Sequence, residues 1–338
     1  MRVYHFITLT CVIISMIFVE AGKSKEIVKT YNYDNIHSIK IKSVSAEIKF
    51  KPQNKQEVTI EYIKDYDKPD KVILEIKKSH KKLSIKEHFL EKNINGHAII
   101  NCYIPSSQTI DRIECVNTSG SVFISNIKLE NIKLDVVSGS ISINNLINTN
   151  NIKLHVVSGS VSISNLNTNN INADVTSGSV SISNIINTNN INVDATSGSI
   201  SMNNIKTKDI NIGFASGDIT LDSCKIYNSC KFSYASGDVD IGISSLPFKS
   251  LNIFSESGSI TLKTPTFGDN FKLITTIGTD QGILKMPFEC EKRKNVFLKG
   301  NNYPSDQCIV EHGEKGPVVK LSTYSGDITI ISKLQEVK

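Results

Sequence analysis

The side chains that could do chemistry in this chain recur at intervals, so they read as columns. Counting back four places from the glycines at 139, 159, 178, 198, 217 and 237 gives Asp135, His155, Asp174, Asp194, Gly213 and Ser233. Asp174 and Asp194 are successive carboxylates in that column. On neighbouring strands ~4.8 Å apart they would repel, and a shared hard cation such as Ca²⁺ would relieve the repulsion. The plainer reading is two solvated surface carboxylates. Asp174 and Asp194 are therefore the only metal-ligand candidates, and no cofactor is implied. The Gly-rich nonapeptide of Ca²⁺-binding β-rolls is absent. Asp218, Asp238 and Asp240 form a second acidic spot just after the glycines, with the same two readings.

Catalysis needs more than these columns offer. Polysaccharide lyases and hydrolases built on parallel β-helices use clustered carboxylates, or a carboxylate-bound metal with a Lys or Arg base. Beyond the N-terminal leader the arginines are Arg112 and Arg293, and neither falls in the regular repeats. His155 stands alone in its column. The exposed positions are mostly Ser, Thr and Asn, which do not transfer protons unaided. The chain reads as non-enzymatic; the alternative is a carbohydrate-active enzyme with its site in the irregular 265–324 region. Serine pairs from Ser140/Ser142 to Ser199/Ser201 form a flat hydroxyl ladder, but they lack the methyl groups of threonine ladders that order water on ice-binding proteins.

Cysteines carry a third kind of chemistry. Past the leader stand Cys102, Cys115, Cys224, Cys230, Cys290 and Cys308, an even number that favours disulfides in an exported chain. Six cysteines allow 15 connectivities; the spacings suggest sequential local pairs. Cys224 and Cys230 lie 7 and 13 residues after Gly217, the offsets that Leu146 and Ile152 hold after Gly139. Both should face inward, and a disulfide closing the bend between them is the first reading. Two buried thiols acting as small hydrophobes are the other. No C-x-x-C pair points to a zinc ribbon. Asn117-Thr118-Ser119 is an acceptor sequon, which makes Asn117 a glycosylation candidate in a eukaryotic host.

These residues are positioned by a repeat. The phrase Ser-Gly, a polar residue, then alternating aliphatics returns at Gly120, Gly139, Gly159, Gly178, Gly198, Gly217, Gly237 and Gly258. Two places after each glycine stand Val122, Ile141, Val161, Val180, Ile200, Ile219, Val239 and Ile260, and four places after it a second aliphatic. A second strand pattern follows, as in Ile152-Leu154-Val156 and Ile171-Ala173-Val175. Asn-Thr-Asn-Asn at 148–151, 167–170 and 187–190 suits a tight bend, with asparagines able to bond along a stack. One coil of about 20 residues cannot bury its own aliphatics, and stacked copies can. The glycine must turn the chain at positive φ or allow close packing of one coil on the next. The expected fold is an all-β β-solenoid.

The flanks differ. Residues 1–21 read as a signal peptide: Arg2, an apolar run from Phe6 to Val19, then Val19 and Ala21 before a cut at Gly22. An uncleaved anchor is the alternative; no second apolar span follows. Residues 22–116 read as short strands forming a small β cap, with about 18 basic against 13 acidic groups, while 117–262 carry about 8 against 10. A solvated surface explains that basic balance; contact with anionic lipid or glycan is the other reading. The absence of Trp and the 7% aromatic content disfavour a nucleic-acid stacking surface. The regular repeats run over 117–278, and 279–338 is irregular, with Ser325-Gly326-Asp327-Ile328 as a last copy.

The motifs Ser216-Gly217-Asp218-Ile219-Thr220-Leu221, Ser236-Gly237-Asp238-Val239 and Ser325-Gly326-Asp327-Ile328-Thr329-Ile330, with the lead-in Ile104-Pro105, carry a family resemblance. Over residues 36–332 the chain resembles the exported "putative adhesin" domain-of-unknown-function family with Ser-Gly-Asp/Ser-Ile repeats. The resemblance implies a β-solenoid in an envelope or extracellular setting, and it brings no catalytic residues. The cysteines and the 278–325 insertion depart from the family pattern. The expected role is a secreted or cell-surface protein that binds a cell-surface protein or glycan.

Overall fold

The computed structural model of the chain describes residues 27–332, apart from 248, 266, 269, 279–280 and 298–303. The signal-peptide segment 1–21 lies outside the described residues. Alternating aliphatic and polar residues dictate strands with one buried face, and the chain is accordingly all-β, with a single short 3₁₀ turn at Pro69–Lys71 among the described residues. Coils stack in parallel and in register, giving two principal sheets. The first sheet takes the strand that precedes each Ser-Gly corner, such as Lys128–Ser138, Asn151–Ser158 and Asn170–Ser177. The second takes the strand that follows it, such as Ile141–Asn144 and Val161–Leu166. In the coils between Val180 and Ser236 the chain stays strand-paired around the Asn bend, so each of these strands serves both sheets.

The register lines up the core. Ile132, Ile152, Ile171, Ile191, Ile210, Cys230 and Leu251 are successive partners on the first sheet. Ile141, Val161, Val180, Ile200, Ile219, Val239 and Ile260 are successive partners on the second. All of them are buried. Volume is traded between coils: the column Val175, Ala195, Phe214, Tyr234 places the smallest residue beside the larger ones.

The corner uses glycine for both reasons that the sequence allowed. From Gly120 to Gly258 each corner glycine has φ between +115° and +143°. A Cβ at Gly139, Gly159, Gly178 or Gly198 would lie 2.3 Å or less from the carbonyl oxygen of the preceding corner glycine. No side chain fits there. At the opposite bend, Asn126, Asn145, Asn165, Asn184 and Asn204 take the left-handed region at φ 51–57°, which Asn tolerates better than most residues. From Asn165 onward their amides form a ladder: Asn184 donates to Asn165 and Asn204 to Asn184, each at 2.9 Å.

The two ends of the stack share a device. The first coil in the sequence, strands Ser38–Ser43 and Ala46–Gln53, is not the outermost. Ser38–Ser43 lies parallel between Lys82–Phe89 and Thr109–Ser119, and Ala46–Gln53 between Gly96–Pro105 and Val122–Ser125. At the other end Val318–Ser325 is inserted between Ser250–Ser257 and Phe271–Gly278. Ile328–Ser332 likewise lies between Ile260–Thr264 and Leu284–Lys285. Antiparallel strands then close each end: Val72–Ser79, Val58–Tyr66 and Ile27–Tyr33 at one, Pro304–His312 and Lys292–Phe297 at the other. Parallel stacking thus reaches well into residues 22–116, and the irregular C-terminal segment supplies both the last inserted coil and the cap. Such caps keep the sheet ends from pairing with other chains.

Candidate binding surface

The polar residue after each corner glycine is held by the corner itself. Ser121 Oγ accepts the amide N–H of Ser140 at 3.1 Å, Ser140 Oγ that of Ser160 at 3.2 Å, and Ser160 Oγ that of Ser179 at 3.4 Å. Aspartate does the same work further along: Asp218 accepts from the amide of Asp238 at 3.0 Å and Asp238 from that of Ser259 at 2.8 Å. At the end of the stack Asp327 accepts from the amide of Ile283 at 2.8 Å. Ser and Asp suit this place because each offers a short side-chain oxygen acceptor. The Ser140 and Ser142 columns are therefore not a matched hydroxyl pair, since one caps the corner and only the other lies on the sheet face. In the acidic spot, Asp218 and Asp238 are corner acceptors and Asp240 pairs with Lys263 at 2.6 Å.

Asp174 and Asp194 occupy adjacent register positions on the outer face of the first sheet. Asp174 is turned to His155 on the preceding coil, Oδ2 to Nδ1 3.2 Å, and beyond Asp194 the column continues as Gly213. Among the described residues no three His, Cys, Asp or Glu side chains converge as a metal site.

The cysteines divide. Cys290 and Cys308 form a disulfide, with Cα atoms 5.6 Å apart. Cys224 and Cys230 both face inward, as their offsets require, but they are free thiols, which corrects the bridge expected across their bend. Each fills its own column, Cys224 beside Ile243 and Cys230 between Ile210 and Leu251, where neighbouring coils place aliphatics. Cys224 Sγ lies 3.3 Å from the carbonyl oxygen of Asp222. Cys102 and Cys115 are also free and buried, a second correction to sequential pairing. The inserted 38–53 coil separates them: Cys102 is partnered by Phe50, and Cys115 by Ile41 on the other sheet. Burial pushes the Cys224 thiol up to about 11 and raises those of Cys102, Cys115 and Cys230 well above their ordinary value.

Asn117 is not presented as a glycan acceptor by the folded chain. It is fully buried, and its Nδ2 donates to the carbonyl oxygens of Ala46 and Gly120, both at 2.8 Å. It ties the inserted coil to the first glycine corner. Sequence reasoning also missed Glu87, a buried carboxylate in an inward register after Leu83 and Ile85. One oxygen accepts Ser43 Oγ at 2.8 Å and the amides of Val44 and Ser45; the other accepts the hydroxyls of Tyr62 and Tyr66 at 3.0 and 2.9 Å. The Ser43–Ala46 corner has no glycine, and Glu87 organises it instead. Burial first, with the Glu87 charge adding, raises the Tyr62 hydroxyl well above its ordinary value.

The outer faces remain. On the first sheet one column reads Ser84, Lys40, Glu114, Lys133, Lys153, Asn172, Asn192, Asn211 and Lys231. Basic residues crowd its N-terminal half and amides its middle, where Asn192 donates to Asn172 at 2.8 Å and Asn211 to Asn192 at 3.0 Å. On the second sheet the column Ser142, Ser162, Ser181, Ser201, Thr220 is short-chained and flat. In the C-terminal cap a cavity of about 580 Å³ is lined by residues that include Ile277, Leu284, Arg293, Lys294 and Asp306, with Asp306 its one carboxylate among the described residues.

Among the described residues no helix is long and apolar enough to cross a membrane. No curated protein matches the chain. Solved structures resemble it at low identity. A "putative adhesin" from Parabacteroides distasonis ATCC 8503 is 17% identical, with 72% of this chain and 92% of that chain covered and a TM-score of 0.41. A "putative lipid binding protein" from the same organism is 14% identical, covering 90% and 96%, with a TM-score of 0.39. A "putative adhesin" from Bacteroides fragilis NCTC 9343 is 14% identical, covering 91% and 97%, with a TM-score of 0.36. The Toastrack DUF4097 family matches over residues 36–273, from the inserted first coil to the start of the C-terminal cap, and this chain belongs to that family.

Proposed function

We propose that this chain is an exported, non-enzymatic β-solenoid that binds another surface, in the manner of an adhesin, through the outer columns of its sheets. One observation carries the reading: the Ser-Gly-Ser/Asp motif is taken up by corner hydrogen bonds, while the residues that vary from coil to coil project from long, flat, polar faces. Such faces suit an extended partner, a cell-surface glycan or protein, better than a small substrate. The cap cavity is where a carbohydrate-active enzyme would have its site. Glycosidase chemistry commonly calls on two carboxylates, and among the described residues that cavity offers Asp306 beside Arg293 and Lys294. A glycan array probed with the secreted chain, run beside turnover assays on acidic polysaccharides, tests the proposal. Binding without product is the expected result; released product would overturn it.

A further inference from the structure

The N-terminal half of the first sheet's outer face carries charge that the fold does not neutralise. Lys42 and Lys86 are direct register partners on adjacent parallel strands, and Lys133 and Lys153 are another such pair. Like charges directly opposite one another in a sheet cost stability. Nearby acids are already engaged: Glu114 takes Lys40 at 2.9 Å and Arg112 at 2.7 Å, and Glu75 takes Lys77 at 2.6 Å and His88 at 3.2 Å. Among the described residues no carboxylate lies within ion-pair distance of Lys42, Lys82, Lys86 or Lys153, and all four are exposed. Further along the stack the Lys82 and Lys153 columns become Asn170, Asn172, Asn190 and Asn192, and the Lys86–Lys42 column runs through Val116 to Asp135, His155 and Asp174, so the charge is a patch and not a property of the repeat.

We propose that this patch is the docking surface for a linear acidic polysaccharide lying along the stack axis. The proposal rests on the binding role above and names its partner. Strands repeat every ~4.8 Å along the axis, close to the length of one pyranose unit, so the Lys86–Lys42 and Lys133–Lys153 pairs each match two neighbouring acidic sugars. Interspersed Ser38, Ser84 and Asn131 offer hydrogen bonds to sugar hydroxyls on the same strands. A partner bearing both anions and hydroxyls uses that mixture, whereas a phosphatidylserine surface, which has no free hydroxyls, meets the charge alone. These strands present no Phe, Tyr or Trp among their outward register positions, so bases of a nucleic acid find no stacking platform. The unbalanced lysines also make association dependent on salt.

The test uses the full secreted chain against dextran sulfate and polygalacturonate. Neutral dextran, phosphatidylserine vesicles and single-stranded DNA are the comparison probes. Both acidic polysaccharides should bind and neutral dextran should not. The variant K42Q/K86Q/K153Q should weaken that binding at least tenfold and flatten its salt dependence, while K231Q/K249Q, exposed further along the stack, should leave it unchanged. Circular dichroism checks that both variants fold. Equal loss in the two variants, unchanged binding in the first, or binding to vesicles or DNA in place of the polysaccharides would overturn the proposal. Failure here alongside capture of a neutral glycan on the array would leave the broader binding role standing.

Discussion

The middle of the stack and its N-terminal end build the same corner by different means. In the middle, glycine turns the chain and the next coil supplies the hydrogen bonds: Gly139 N–H donates to Ser158 O and Gly159 N–H to Ser177 O, each at 2.9 Å. At the end, the Ser43–Ala46 corner has no glycine, and a single buried carboxylate from a distant strand gathers its donors. The middle is held by repetition, in which each coil is template and partner for the next. The end is held by unique residues, Glu87 and Asn117, that have no counterparts along the stack. A repeat spreads its stability over many equivalent contacts, and a cap concentrates it.

Changes at the two regions should therefore differ in size and in kind. The largest effect is expected for Glu87→Ala, which leaves the donors of Ser43, Val44, Ser45, Tyr62 and Tyr66 without their acceptor. A loss of about 4 kcal/mol is expected from stranding several buried donors together, read by urea unfolding. Gly178→Ala comes next. Its Cβ would meet the Gly159 carbonyl at 1.9 Å with φ at +141°, so a loss of about 3 kcal/mol is expected. Asn165→Ala, at φ 55°, is the companion measurement at the opposite bend, with about 1 kcal/mol expected. A loss for Gly178→Ala no larger than that for Asn165→Ala would show that the corner relaxes freely.

Alkali should reach the middle through its thiols. The Cys224 pKa is raised from its ordinary 9.0 to about 11, so above pH 9 the unfolded chain gives up a proton that the folded chain keeps. That contribution is complete below pH 9 and is lost as pH rises towards 11, amounting to about 2 kcal/mol from this group. Cys224→Val should lessen the fall in stability between pH 9 and 11 by this one thiol's share, the fall due to Cys102, Cys115 and Cys230 remaining. An unchanged slope would place the effect elsewhere. The smallest effect belongs to the exposed amide ladder. Asn170→Ala removes its bonds to Asn151 and Asn190, each at 2.9 Å, and should cost about 0.5–1 kcal/mol by thermal unfolding.

The same contrast explains how much of the molecule could be read from its residues. Period-two alternation and the recurring glycine led to the stack, the inward columns and even the inward placement of Cys224 and Cys230, because all of these are local and repeated many times over. The insertion of the end coils left no such trace. Ser38–Ser43 meets Thr109–Ser119 across more than sixty residues, and pairing at that distance has no periodic signature. Glu87 did have a signal, an acid in step with Leu83 and Ile85, but one residue out of pattern reads as a strand that ends early. Asn117 matched a sequon, and only the position of the inserted coil shows that its amide is already bonded. Of the sequential cysteine pairs Cys290–Cys308 forms as its spacing suggested, while Cys102 with Cys115 and Cys224 with Cys230 do not, because the stack seats each of those thiols in its own column.

If the Ser-Gly corner defines an interchangeable unit, a whole coil can be removed from the middle. Deleting residues 159–177 joins Ser158 to Gly178, which restores the corner and brings Ile152 and Ile191 into partnership as their columns require. The shortened chain should be monodisperse, keep a β-sheet circular dichroism spectrum, and unfold in one transition within a few degrees of the parent. Deleting the inserted coil at 38–53 should instead give an aggregated product, since both sheets lose the strands that join cap to stack. An internal deletion that aggregates or fails to fold as the end deletion does would contradict the account.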